Sequence, residues 1–383
     1  MERHLMICNA YPTKEKVYAN GFLHRRVKAY SKYGIDVDVI VITTRVLRDR
    51  FYDGVHIKYM DEHQIASYLK KNHYPTVLFH FINPRMFHGI EQLPEAERPN
   101  IVVWLHGFEA EAWHRRYYNF LHDVKALDTM LERKDTVFEA QREFLRHIMT
   151  STEYNIRFVY VSERFKELYV DPFTGVVPSD YRIIPNIVDE QLFPYRKKDK
   201  SDRLSLCSIR PYAARNYAND LTVAFIEALS KKRYFKKLTF NLYGDGPLFE
   251  EITEPLKRYE NVHLHQAFVP QHEIPDIHSR HGVFIGPTRH DSQGVSIGEA
   301  MSSGLVPITN EVGGVPEFVE HGKTGMLAPR DDVEEMVKHF EYLYRHPRTF
   351  LEMSARASES INDQAGVDAV ITKEIEVIQH GWS

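Results

Sequence analysis

Two carboxylates, Asp291 and Glu299, stand eight positions apart in the stretch RHDSQGVSIGEAM. A polar turn with a glycine separates them, directly after the apolar run GVFIG, and a helix is expected to open near Val295 or Ser296. At such a helix start the first N–H groups have no intrahelical acceptor, and they favour a negatively charged ligand. The spacing therefore points the amides of Ser292, Gln293, Gly294, Val295 and Ser296 at an anion. Glu299, one turn inside, can accept from vicinal hydroxyls as the acidic residue of a dinucleotide site does from ribose. Asp291, on the opposite lip, can accept from sugar hydroxyls. The alternative is local: Asp291 caps the turn and Glu299 is a solvated helix side chain.

Further loops carry candidate chemistry, each following an apolar run. SIRPYAARNYANDL holds Arg210 and Arg215, whose guanidinium forks match a diphosphate; alone they read equally as solvated charges. Gly21, in YANGFLHRRV, opens a helix where backbone amides could approach an anion, although the GxGxxG dinucleotide fingerprint is absent. Gly244, in NLYGDGP, is compatible with a phosphate loop and with an ordinary tight turn, and Phe268 closes the run NVHLHQAF. His106 ends the run VVWLH, with Glu109 three residues on, and both are candidates for contact with a sugar or an acceptor. His80, in VLFHFINP, reads as structural.

The elements that must position these residues alternate between β-branched runs and amphipathic helices. HLMICNA, IDVDVIVIT, VHIKYM, TVLFHF, NIVVWLH, RFVYVS and YRIIPN read as strands in the first half. RLSLCSI, KLTFNLYG, NVHLHQAF, HGVFIGPT and LVPITN read as strands in the second. This rhythm predicts α/β architecture with doubly wound parallel sheets, and so ligands beyond the carboxyl ends of the strands. A long helical stretch from Glu109 to about Met149 interrupts it. Residues 189–203, polar and charged, read as a linker or hinge. The expected organisation is a first domain over 1–187, a second over 188–360 and a C-terminal helix over 361–383. Two such domains facing each other would form a cleft.

Bulk properties exclude several classes. Lys and Arg number 49 against 53 Asp and Glu, a net charge of −4, so no global field favours nucleic acid. The two cysteines, Cys8 and Cys207, lie in apolar runs and read as inert core thiols. The N-terminus lacks a signal-peptide core, and no run approaches the ~20 apolar residues of a membrane span. A cytoplasmic protein is expected, and peripheral contact with the inner membrane face remains compatible, given EAWHRRYYNF at the head of the long helical stretch.

Taken together these motifs resemble a retaining family-four glycosyltransferase of the GT-B fold, of the bacterial polysaccharide and glycan type. The family's Glu-x7-Glu signature resembles DSQGVSIGEAMSSG here; LVPITNEVGGVPEFVEHGKTGMLAP, RIIPNIVDEQLFP, VYVSE and LYGDGP are similar to its other conserved stretches. Arg210 and Arg215 resemble its Arg-x4-Lys pair. Asp291 stands where the first Glu is usual, Arg215 where Lys is usual, and Ser292 and Gln293 where Gly-Phe is common. The first domain has ANGF where many relatives have a double glycine.

The resemblance implies two Rossmann-like domains facing a cleft, with the C-terminal helix returning to the first. It implies transfer of a hexose-type sugar from a nucleotide diphosphate donor, UDP by family frequency, to a glycan or lipid-linked acceptor, with retained configuration and no required metal. Arg210 and Arg215 would carry the leaving diphosphate, with the backbone donors and the Gly21 loop. Glu299 would hold the ribose, Asp291 the transferred sugar, and His106 would lie near that sugar. Closure about a hinge at residues 186–196 is expected. The alternatives are a nucleotide-sugar epimerase of the same fold and a noncatalytic nucleotide-sugar-binding subunit. Acceptor-dependent release of nucleoside diphosphate separates the three.

Overall fold

The structure, a computed structural model, describes residues 3–14, 20–45, 47–120 and 123–382. The chain divides into two compact units. The first comprises Met1–Trp113, Asp128–Pro185 and Val370–Ser383; the second comprises His114–Leu127 and Asn186–Ala369. The segment His114–Leu127, which sequence pattern places inside an insertion of the first domain, thus packs with the second unit.

The first unit is built on an eight-stranded sheet. Its strands are β1 (Arg3–Cys8), β2 (Asp36–Ile42), β3 (Arg50–Tyr52), β4 (Val55–Met60), β5 (Thr76–His80), β6 (Asn100–Leu105), β7 (Ile156–Tyr160) and β8 (Tyr181–Ile183). The order is β3-β4-β2-β1-β5-β6-β7-β8, and every pairing is parallel except β3 with β4. The central strands are buried on both faces, as their continuous apolar runs require. The order reverses between β1 and β5. The expected long helix is instead broken into 3-10 turns over 108–110 and 113–119, a helix Val124–Arg133, a π turn and a helix Glu139–Thr150.

The second unit holds a six-stranded, all-parallel sheet. Its strands are β9 (Ser205–Ile209), β10 (Thr239–Gly244), β11 (Val262–Gln266), β12 (Val283–Ile285), β13 (Val306–Asn310) and β14 (Met326–Ala328). The order is β11-β10-β9-β12-β13-β14, with its reversal between β9 and β12. Residues 189–203 are not a loose linker. Phe193 and Lys198 are buried there, and Asp189 caps the amides of Gln191 and Leu192.

The C-terminal helix expected over 361–383 is instead the end of one helix, Pro347–Ala365, and a second, Val367–Gln379, separated at Gly366, where a Cβ would lie 2.4 Å from the Asn362 carbonyl oxygen. The last part of the second helix belongs to the first unit. Two buried side chains hold it there. Glu374 accepts from Arg26 Nε at 2.9 Å and from the Tyr30 hydroxyl at 2.6 Å, with both Arg26 and Glu374 side chains 0% exposed. Arg157 donates to the carbonyls of Val377, His380 and Gly381 and pairs with Asp180. These are the orphan carbonyls of a helix end, satisfied by a cation that also suits the negative end of the helix dipole. Among the described residues no helix is long and apolar enough to cross a membrane.

Candidate functional site

Because the second sheet is all parallel, its strands end on one edge, and the loops after β9 and β12 meet at the reversal of strand order. Arg210 follows β9 directly, and residues 286–294 follow β12. Arg210 is 4% exposed. Its Nη1 donates to Ser296 Oγ at 2.7 Å, its Nη2 lies 3.5 Å from the Pro287 carbonyl, and its guanidinium sits 5.3 Å from the Tyr217 ring centroid. Its Nε is buried with no hydrogen-bond partner. Among the described residues no carboxylate forms an ion pair with it. Burial lowers its pKa, and the charge of Asp291 opposes that shift. A guanidinium nevertheless keeps its proton inside a protein.

The helix opens at Val295, as the sequence predicts, with Gly294 at its N-cap at a positive φ of 86°. The expected run of free amides is shorter. Asp291 Oδ1 accepts from the N–H of Gln293 at 3.2 Å and of Gly294 at 2.7 Å, closing the turn locally. The amides of Val295 and Ser296 remain, the first two of the helix, with no intrahelical acceptor. Asp291 is in turn seated by Gly314, whose N–H donates to its carbonyl at 3.1 Å. At Gly313, with φ of 55°, a Cβ would lie 1.9 Å from that carbonyl oxygen, which is the physical reason for the paired glycines of NEVGGVPE.

Ser296 and Glu299 are three apart and share a helix face, so Arg210 and Glu299 address the same face through neighbouring turns. Glu299 is mostly buried, and its Oε1 accepts from Gln271 Nε2 at 3.0 Å. It is therefore not a solvated helix side chain. Phe268, in the loop between β11 and Gln271, is 54% exposed. Gln293 is committed elsewhere: its amide oxygen accepts from the Asn186 N–H and its Nε2 donates to the Asn186 carbonyl. The side chain expected near a donor sugar thus braces the loop. Ser292, its neighbour, is partly exposed at the turn.

Arg215 is not brought into the same hydrogen-bond set as Arg210. Its Nη2 pairs with Glu251 at 2.9 Å, in contact with solvent. Such a pair contributes ~0–1 kcal/mol, so its guanidinium is held there weakly. Gly244 serves close packing: a Cβ there would lie 2.0 Å from the Arg210 carbonyl oxygen and 2.8 Å from the Tyr212 ring. Gly246 is constrained by the Tyr212 backbone in the same way. The two glycines let the Arg210 loop lie across the end of β10, fixed by Arg210 N–H to the Tyr243 carbonyl and Tyr212 N–H to Asp245.

The edge of the first sheet has a different character. His80 and His106, at the ends of β5 and β6, are joined by a hydrogen bond of 2.9 Å between His80 Nδ1 and His106 Nε2. Phe22, next to Gly21, packs edge-on against His106 at 5.1 Å, and Phe81 lies 4.8 Å from it. Burial, with His106 beside it, holds the His80 pKa well below the usual imidazole range, so His80 is neutral. Glu109 is buried, and its two oxygens accept from the amides of His106 and Gly107. Burial pushes its pKa up to about 7 against those two bonds. It therefore fixes the turn after β6 rather than presenting its carboxylate outward. A Cβ at Gly21 would meet no described atom within 4 Å, so the described fold does not itself demand glycine there. Part of the loop leading to it, residues 15–19, lies outside the described residues.

Sequence reading missed the Ser296 hydroxyl, Gln271 and the His80–His106 pair. The first two are polar residues on a helix or turn with no periodic signal, and the histidines meet only through strand pairing. Among the described residues no three His, Cys, Asp or Glu side chains gather in a metal-binding arrangement. Cys8 and Cys207 are buried thiols whose pKa values burial raises, to about 12 for Cys8.

Residues 211–346 match the family model described as glycosyl transferases group 1. Among characterised proteins, N-acetyl-alpha-D-glucosaminyl L-malate synthase of Bacillus anthracis is 25% identical over 206 residues, covering 51% of this chain and 52% of that protein. The gpi3 subunit of phosphatidylinositol N-acetylglucosaminyltransferase from Schizosaccharomyces pombe is 28% identical over 162 residues, covering 40% of this chain and 34% of that protein. The chain thus matches about half of the first relative's length and about a third of the second's. Two solved structures align over nearly the whole chain. Sucrose-phosphate synthase from Thermosynechococcus elongatus has a TM-score of 0.72 at 13% identity, covering 98% of each chain. HepE of Anabaena, solved with UDP and glucose, has a TM-score of 0.69 at 13% identity, covering 98% of this chain and 99% of that one. At such identities the likeness is one of fold, and the fold is GT-B, with two parallel-sheet Rossmann-like domains.

Proposed function

We propose that this protein is a retaining glycosyltransferase. It moves a hexose-type sugar from a UDP-sugar to a hydroxyl of a glycan or lipid-linked acceptor in surface polysaccharide biosynthesis. The observation that carries the reading is Arg210, a buried guanidinium with no ion-paired carboxylate among the described residues, beside the two helix-start amides of Val295 and Ser296, which have no intrahelical acceptor. A buried cation with no ion-paired carboxylate among the described residues suits an anionic ligand, and a diphosphate is the anion that a nucleotide-sugar donor supplies.

The assignment of roles follows the chemistry. The bond between the anomeric carbon and the diphosphate oxygen breaks, a bond from the acceptor oxygen to that carbon forms, and the acceptor proton passes to the leaving phosphate. Negative charge grows on the leaving diphosphate. Arg210 and the Val295 and Ser296 amides stabilise it in place, and no divalent metal is required. Glu299, oriented by Gln271, holds the ribose hydroxyls. Asp291 keeps one oxygen beyond its two amide bonds for a sugar hydroxyl. Arg215 joins the diphosphate only by leaving Glu251. The first unit is assigned to the acceptor.

Support comes from the UDP and glucose named with the Anabaena structure and from the N-acetylglucosaminyl chemistry named for the two relatives. The test is thermal stabilisation by a panel of nucleotide sugars on wild type and Glu299→Ala. A shift from a UDP-sugar that the variant loses is expected, followed by acceptor-dependent UDP release. No shift from any donor, or donor consumption without an acceptor, would overturn the reading.

A further inference from the structure

The loop that carries Arg210 and Arg215 is held by a residue almost a hundred positions earlier in the chain. Arg215–Tyr217 forms a single 3-10 turn, preceded by Ala214 in extended conformation. Ala214 occupies the N-cap and has no side-chain acceptor, so the first amides of the turn need one from elsewhere. Asn119 supplies it. Its Oδ1 accepts from the Arg215 N–H at 2.9 Å and from the Asn216 N–H at 3.2 Å. Asn119 lies in His114–Leu127, the segment that packs with the second unit. Tyr118 beside it is buried, with Arg330 over its ring at 5.9 Å.

The capped turn leads directly to the anion site. Its third residue, Tyr217, places its ring against the Arg210 guanidinium. Its second, Asn216, offers a carbonyl that accepts from the Arg289 N–H at 3.0 Å and from Thr288 Oγ1 at 3.2 Å. Arg289 also donates Nη1 to the Arg215 carbonyl, and it is anchored by Asp220 and Asp331. Asn119 is therefore hydrogen-bonded to the 215–217 turn, the turn meets Arg210 through the Tyr217 ring, and it is hydrogen-bonded to the loop that carries Asp291.

We propose that Asn119 is a positioning residue of the diphosphate site: it caps the 215–217 turn from outside and thereby fixes Tyr217 and the guanidinium of Arg210. This rests on the donor-site reading above. Asn119 is not a catalytic residue, because its oxygen is spent on two backbone amides.

The test uses the full chain, with UDP and UMP as probes. Calorimetric titration of Asn119→Ala is expected to show UDP affinity about five- to tenfold weaker, the scale of a lost helix cap. UMP affinity should change less, because Arg210 acts on the diphosphate. Amide hydrogen exchange at Arg215 and Asn216 should speed up in Asn119→Ala. It should stay slow in Asn119→Asp, which keeps an acceptor oxygen at the same place. Equal losses for UDP and UMP, UDP affinity within twofold of wild type, or exchange in Asn119→Asp as fast as in Asn119→Ala would each overturn the proposal. Wild type that binds no nucleotide would overturn the donor-site reading itself, and the proposal with it.

Discussion

Arg26 in the first unit and Arg210 in the second are both buried guanidiniums, yet their surroundings are opposite. Arg26 is matched by Glu374, which also takes the Tyr30 hydroxyl, so the charge is met inside the protein. Arg210 has a hydroxyl and a distant carbonyl and keeps an unpartnered Nε. Lys198 lies between these extremes: buried, with Nζ 2.7 Å from the His278 carbonyl, and with its pKa lowered by burial to about 8. A buried cation that meets a carboxylate fastens the fold. One that can release its proton relieves its own cost. Arginine cannot, so an unmatched buried arginine at a sheet's ligand edge is best explained by an anion from outside.

That contrast can be broken from either side. The largest effect is expected at Glu374. Glu374→Ala leaves Arg26 buried and uncompensated and should destabilise the protein by about 3–5 kcal/mol in urea unfolding. Replacing both partners by apolar residues, Arg26→Met with Glu374→Leu, should restore most of the loss. If the double variant is no better than the single, the pair is not what fastens the C-terminal helix.

Arg210→Met should behave in the reverse way. Stability should hold or rise, because an unmatched charge has gone, while UDP affinity falls by about 2–5 kcal/mol. A fall in stability like that of Glu374→Ala would make Arg210 a structural cation. Glu299→Ala should weaken UDP binding by about 1.5–3 kcal/mol through lost hydrogen bonds to a charged acceptor. It should weaken UMP binding comparably, since both ligands carry the ribose.

Lys198 gives the smallest effect and a pH signature. Its folded pKa lies below the value in the unfolded chain, so below pH 8 the native state carries the full cost of the buried charge. Between about pH 8 and 10.5 the unfolded state binds more protons, and wild-type stability rises relative to Lys198→Met. At neutral pH Lys198→Met should be the more stable by about 1–2 kcal/mol, after allowing for the lost bond to His278. A difference that grows with pH above 8 would contradict this.

Much of the architecture could be read from residue pattern because apolar, β-branched runs mark buried parallel strands. The two strands that escaped are three residues long. Arg50–Tyr52 is mostly exposed and pairs only with its hairpin neighbour, and Met326–Ala328 pairs only with β13. Neither has the length to show a period. The helix start at Val295 was legible, because glycine after a buried strand has few other uses. What Asp291 does with its Oδ1 was legible only as one of two options, since capping and ligand binding require the same residue type. Arg215 turned to Glu251 and Gln293 to Asn186 because partners distant in sequence compete for the same side chains. Asn119 could not have been found, since nothing in its neighbourhood shows that an amide cap is missing at Ala214.

The most direct test of the account is calorimetric titration of UDP into wild type and Arg210→Met, alongside their unfolding midpoints. The account predicts that wild type binds, and that the variant loses at least about tenfold in affinity at an equal or higher midpoint. Equal UDP affinity in the two proteins would contradict it.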